Sequence, residues 1–207
     1  MFKKVLAATA RPLECDESVA SANLIAQFNN ANLLILYVLE SNTSIYRNYV
    51  RHYRSGEEIV SNEVYQDQVI EKVYTKYSDD FKPPDKFEFH IAFGVPWMEI
   101  LKTAREESVD LIILSAHAGK ASSEERQRIG GTLGSTAESV IKHERRPVMI
   151  VNKTIPQSKV LFEKIMVSID FSPSCISAFK FAVELAQKRE SKLYLFHMLP
   201  VPPQPEY

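Results

Sequence analysis

The stretch from Val109 to Val151 does most to limit what this chain can fold into. It opens with VDLIILSA, an apolar run too short for a membrane span and rich enough in branched side chains to be a strand buried on both faces. A polar loop, His117 to Arg128, follows at once. Next comes GGTLGSTAESVIKHE, where small residues lead into a helical pattern with Val140 and Ile141 on the apolar side. Pro147 ends that helix ahead of a second short apolar run, VMIV. Strand, loop, helix, strand is the unit of an open parallel sheet, whose ligands bind in the crevice beyond the carboxyl ends of the strands. The Gly134-Ser135 pair that opens the helix would offer backbone N–H groups to an anion there.

The preceding residues repeat the same alternation. Lys4 to Ala8 reads as a short strand, and a helix beginning at Cys15 or Asp16 buries Val19, Ala22, Ile25 and Ala26 before ending near Asn29-Asn30. NLLILYVL is a central strand. From Glu40 to Asp80 the chain turns polar and rich in tyrosine, with a helical period through Val60, Val64, Val69 and Val73. Tyr46 to Arg54 interleaves aromatics with arginines, which we read as a helix or mobile lid over the sheet edge rather than a nucleic-acid surface, because the formal net charge is only -1. Lys86 to Ala92 alternates as a half-buried strand. Gly94-Val95-Pro96 then turns the chain into a helix with Ile100, Leu101 and Ala104 inside. Successive strands joined by helices should be parallel with right-handed crossovers, so helices cover both faces of the sheet.

Residues 1–152 therefore form one α/β domain, 153–161 a linker, and 162–207 a partial second copy. Shifted by 160, FEKIMVSID lies over FKKVLAATA, Cys175 over Cys15, Ala182 and Ala186 over Ala22 and Ala26, and KLYLFHML over NLLILYVL, all without a gap. The second copy stops in the proline-rich PVPPQPEY. Two cysteines, no apolar run of about 20 residues, and an amino terminus that goes straight into a strand lead us to expect a cytoplasmic chain with reduced thiols and no membrane span.

These residues carry a resemblance. Gly94-Val95-Pro96 resembles the G-x-P turn after the third strand of universal stress proteins, and DLIILSAH resembles their fourth strand. Gly134-Ser135 with TAESVIKHERRPVMIV resembles their last helix and strand, and Ile169-Asp170-Phe171-Ser172 their D-x-S. The chain is identified as a member of that family with two tandem domains, the second incomplete. The resemblance implies a Rossmann-like fold of the adenine nucleotide alpha hydrolase type, with a five-stranded parallel sheet of order 3-2-1-4-5. It further implies frequent homodimers, a cytoplasmic location, and ATP or AMP binding in some members only.

In nucleotide-binding relatives the first strand ends in an aspartate, whereas here the first copy has Thr9 and Ala10. Alanine accepts no hydrogen bond from a ribose or adenine. The relatives also carry G-x-x-G, nine residues, then G-S or G-T. The corresponding glycines fall near Ala118 and Ala121, and twelve residues separate Ala121 from Gly134. A second register sets Ala118 and Ala121 against Gly131-Thr132 at the family spacing but loses the match from Gly134-Ser135 to Pro147, so we prefer the first. Each alanine puts a methyl group where the backbone or a phosphate would sit.

The residues left for a nucleotide are Thr9, Val38 and Gly94 at strand ends, His117 and Lys120 in the loop, and Gly131, Thr132, Gly134 and Ser135 before and at the helix. Asp170 belongs to the second copy. Ser135 is also the expected helix cap. His117 stands in the right crevice but has no acid beside it, and His143, Arg145 and Arg146 suit a helix carboxyl end with no ligand. No metal-binding spacing, Walker sequence or Ser-His-Asp set is present, and we assign no catalytic residue. We expect no tightly bound cofactor, with ATP or AMP as the alternative. The functional reading is a stress-response or regulatory protein acting through self-association or an unidentified protein partner, without nucleic acid or membrane. The other reading is an ATP- or AMP-binding member with a modified phosphate loop and slow hydrolysis.

Overall fold

The computed structural model describes residues 2–9, 17–40, 49–51, 58–60, 67, 68, 70–75, 87–116, 133–152 and 162–199. The chain divides into two compact units, Met1–Ile155 and Pro156–Tyr207.

In the first unit, β1 (Lys4–Thr9), α1 (Glu17–Asn29) and β2 (Asn32–Glu40) are followed by β5 (Phe87–Gly94), α2 (Pro96–Glu106), β6 (Leu111–Ser115), α3 (Ser135–His143) and β7 (Val148–Val151). The five strands form one parallel sheet in the order β5-β2-β1-β6-β7, which is 3-2-1-4-5 when they are counted along the chain. The pleat sends alternate side chains to opposite faces. Leu6, Leu34, Leu36, Ile112 and Leu114 thus meet Ile100 and Ala104 of α2 and Ala137 and Val140 of α3, all of them buried. Val5, Ala7, Leu33, Ile35 and Ile113 have the opposite parity, and α1 packs on β1, β2 and β6 with Val19, Ala22, Ile25 and Ala26 buried. Leu101 is only partly buried at the edge of the core, and Ile141 departs from expectation. Val140 is fully buried but Ile141 is 43% exposed, because one residue further on is a turn of 100° away from the sheet.

The tyrosine-rich region is also corrected. Tyr49–Arg51 (β3) and Glu58–Val60 (β4) form a separate antiparallel pair, with Tyr49 against Val60. Val60 is therefore in a strand and not in the expected helix, since β-branched Ile59 and Val60 fit a pleated ladder as well as a helical stripe. Helix is seen at 70–75, where Val73 is buried and the Tyr74 hydroxyl accepts from the Phe89 backbone N–H at 3.3 Å. Of the expected lid, Tyr46 to Arg54, only 49–51 are described, and they are strand.

In the second unit, β8 (Lys164–Ser168), α4 (Pro173–Arg189) and β9 (Lys192–Phe196) make a parallel two-stranded sheet with one helix. Ser172 caps α4, its hydroxyl accepting from the Cys175 N–H at 3.3 Å, and Pro173 occupies the first helical turn, where its missing N–H costs nothing. Here the repeat extends to the backbone. Lys4 pairs with Asn32 as Lys164 pairs with Lys192. Asn30 and Glu190, 160 residues apart, both end their helices in the left-handed conformation, at φ 51° and 52°. The bonds that follow also correspond: Ala31 N–H to Ala26 O and Ser191 N–H to Ala186 O are both 2.9 Å. The second unit is thus a partial copy of the first, carrying its opening strand, helix and strand.

Candidate functional site

The order of the sheet sets the crevice. From β1 the chain passes to β2 on one side and later fills β6 on the other, so the gap beyond the carboxyl ends of β1 and β6 is a topological switch point. Ala8 pairs with Leu114 and Ser115 with Val151, which brings Thr9, Ser115 and Ala116 to that end. The Gly134 N–H donates to Ala116 O at 2.9 Å and holds the start of α3 there.

Thr9, Gly134 and Ser135 are therefore gathered at one crevice. Thr9 is buried, and the Ser18 hydroxyl donates to the neighbouring Ala8 carbonyl at 3.0 Å. Val38, near the end of β2, packs partly buried against the core below α2 and α3. Gly94 lies at the sheet edge, paired with Glu40, at φ +148°. An added Cβ would come within 3.0 Å of Glu99 Oε1. Its glycine is explained by the turn into α2. Asp170 belongs to the second unit, where its Oδ1 accepts from the Ser172 N–H at 2.9 Å. Hydrogen bonds from the Ser172 side chain and then its backbone hold that carboxyl below the usual range. His117, Lys120, Gly131 and Thr132 lie outside the described residues.

Two features of the crevice differ from expectation. Gly134, not Ser135, is the N-cap of α3, with φ −64° and no side-chain cap bond, and Ser135 is the first helical residue. The reason is the bond to Ala116, which fixes the backbone one residue earlier than a serine cap would. That bond also uses the Gly134 amide, so the N–H groups left for an anion are those of Ser135, Thr136 and Ala137. Ser115 is the residue sequence reasoning missed. Its hydroxyl is buried and has no partner among the described residues. A serine ending the apolar run LIILS is the signal that was available, since a buried hydroxyl is costly unless something bonds to it.

Elsewhere, a cleft of about 590 Å³ on the β5 edge is lined by Leu36, His90, Glu99, Lys102 and Thr103, among others. Its charges are largely matched internally, Lys102 with Glu99 at 3.6 Å and Lys4 with Glu107 at 2.6 Å, leaving little to select a ligand. Among the described residues no group of His, Cys, Asp and Glu could hold a metal ion, and no helix is long and apolar enough to cross a membrane.

The universal stress protein family model matches residues 1–152 and 161–207. The chain belongs to the universal stress protein family. A universal stress protein of Methanocaldococcus jannaschii is 41% identical over 63 residues, 30% of this chain and 35% of that protein. Universal stress protein G of Shigella flexneri is 26% identical over 137 residues, 66% of this chain and 87% of that protein. The crystal structure of a universal stress protein from Archaeoglobus fulgidus matches 94% of this chain and 65% of its own, with 19% identity and a TM-score of 0.60, a likeness of fold. A universal stress protein in complex with cAMP is also similar, with 16% identity over 73% of this chain and 97% of its own and a TM-score of 0.44.

Proposed function

We propose that this universal stress protein is a cytoplasmic regulatory protein of the stress response that works by association, with itself or with a protein partner, and that its nucleotide site is degenerate. A general stress-response role comes with the family. The observation that supports degeneracy is the end of β1, which among the described residues brings buried Thr9 and no carboxylate to the crevice. A ribose or adenine there would leave donors unpaired, a loss of about 1–3 kcal/mol for each buried group. Because one start-of-helix amide is already bonded to Ala116, the anion-binding capacity of α3 is also reduced.

A second reading has its own support. The three remaining amides of α3 lie at the switch point, and the Ser115 hydroxyl at the end of β6 is buried with no partner among the described residues; an ATP- or AMP-binding member with a rearranged phosphate loop would need such polar groups. Titration calorimetry with ATP, AMP and cAMP, together with mass spectrometry of the supernatant from denatured protein, separates the two readings. The first expects no stoichiometric nucleotide and no binding below about 100 micromolar. Co-purifying ATP, or micromolar binding lost in Ser115→Val, would establish the second.

A further inference from the structure

The strand β5 ends the five-stranded sheet, with β2 on one side only. Along such a strand the N–H and carbonyl of one residue point to the same side, and those of the next residue to the other. The Phe89 N–H is turned outward, to the Tyr74 hydroxyl at 3.3 Å, so Ile91 and Phe93 share its direction. The Phe89 carbonyl and the N–H and carbonyl groups of Ile91 and Phe93 therefore make a row of outward polar groups, none with a hydrogen-bond partner among the described residues. Tyr74 closes the row at one end, and Gly94, at φ +148°, turns the chain away at the other. An open row of this kind is a template for another strand.

The cleft of about 590 Å³ lies along the same stretch, between His90, Ile91, Ala92 and Phe93 of β5 and Glu99 and Thr103 of α2. A strand laid beside β5 would send alternate side chains into it. Leu36 and Ala92 give it apolar wall, and Thr103 is buried there with no partner for its hydroxyl among the described residues. The paired charges leave little to select a small ligand, so the backbone row is the main means of recognition. Those charges are nonetheless unequal. Among the described residues in and beside the cleft, the carboxylates of Glu88, Glu99, Glu106 and Glu107 meet the ammonium groups of Lys4 and Lys102, with His90 3.7 Å from Glu88. Lys102 serves Glu99 and Lys4 serves Glu107, while Glu88 has only a share of Lys4 at 3.6 Å and Glu106 has no described ion pair. The surplus is negative, so the cleft suits a basic segment.

We propose that an extended, basic segment of a partner protein adds to the sheet along β5, its main chain bonded to Ile91 and Phe93 and its alternate side chains in the cleft, with lysine or arginine toward Glu106 and Glu88. The proposal rests on the association reading and names the chemistry of the partner. From Phe89 to Phe93 the row spans about 13 Å, room for a short strand and a few main-chain bonds. A second copy of this chain would bring a like surplus of negative charge to the same place.

Fluorescence anisotropy tests this, with the 207-residue chain titrated into a labelled, end-blocked peptide of sequence Lys-Val-Thr-Val-Lys-Val-Thr. Binding is expected at about 10–100 micromolar, and about tenfold weaker or worse when glutamate replaces lysine in the peptide. Methylation of alternate peptide nitrogens, which removes main-chain donors and leaves the charge, should abolish it. Ile91→Pro removes one outward N–H from an edge strand, a position where proline is tolerated, and should abolish binding while circular dichroism shows a folded chain. Should that variant unfold, the methylated peptide decides alone. Glu106→Lys, at an exposed position, should weaken binding about threefold and reduce its dependence on salt. No binding up to about 300 micromolar overturns the proposal, as does binding indifferent to both nitrogen methylation and Ile91→Pro. A dimer formed without peptide and dissolved by Ile91→Pro in sedimentation would also overturn it, by giving the edge to a second copy. Association through another surface, and the nucleotide titrations, would stand apart from these results.

Discussion

Replacing Gly94 by alanine tests whether the turn into α2 depends on backbone conformation or on space. At φ +148° an L side chain is strained, at a cost of about 1–3 kcal/mol. The new Cβ would also lie 3.0 Å from Glu99 Oε1 and 3.1 Å from its Cγ. Glu99 is a flexible side chain, and turning it away sacrifices only its pairing with Lys102 at 3.6 Å, an i,i+3 contact worth about 0.2–0.5 kcal/mol. Backbone strain therefore outweighs crowding. Gly94→Ala should lose about 2 kcal/mol, and Gly94→Ala with Glu99→Ala should lose nearly as much. Trp97, the chain's only tryptophan, lies on α2 and stacks on His143 of α3 at 5.0 Å, so its fluorescence during urea unfolding reports on this unit. A loss under about 0.5 kcal/mol, or full rescue by Glu99→Ala, would refute the reasoning, the second by showing that crowding selects the glycine.

Other outcomes follow from the same geometry. Ile112→Ala, at a fully buried position, should cost about 2–5 kcal/mol in urea unfolding, whereas Ile141→Ala should stay within about 0.5 kcal/mol. Lys4→Met removes the partner of Glu107, whose carboxyl is held low mainly by the Lys4 hydrogen bond, and should cost about 0.5–1 kcal/mol at neutral pH. A depressed carboxyl pKa stabilises above the unfolded value and ceases to as pH falls through the folded value, so the difference between parent and variant should shrink over about pH 5 to 3. A constant difference across that range would separate the loss from Glu107. Ser115→Ala, which removes a buried hydroxyl with no partner among the described residues, should leave stability unchanged or raise it, as thermal unfolding would show.

The sheet was legible because LIILS, LLILYV and KVLAA are runs that only a strand covered on both sides can bury, and because the helices between them keep one apolar stripe. The repeat was legible for a related reason, since side chains at equivalent places face equivalent partners, down to the left-handed residues at 30 and 190. Ile59-Val60 misled because valine recurs at helical spacing while also favouring a pleated ladder, and nothing local decides between them. Ile141 misled because one step round a helix separates core from solvent. In the crevice, residue types placed Thr9 and Gly134 at strand and helix ends. Which amide was already bonded depended on a contact between Ala116 and Gly134, distant in sequence.

That last bond has a consequence for how such a protein can change. Ala116 and Gly134 are clasped backbone to backbone, so the two ends of the intervening segment are held together. The sheet and α3 are secured on either side of the clasp. Doubling the length of the intervening segment would then add only about 0.6 kcal/mol of closure entropy. It is a cassette. A change in the length of that segment therefore costs the frame little, because the sheet and α3 are held by their own packing.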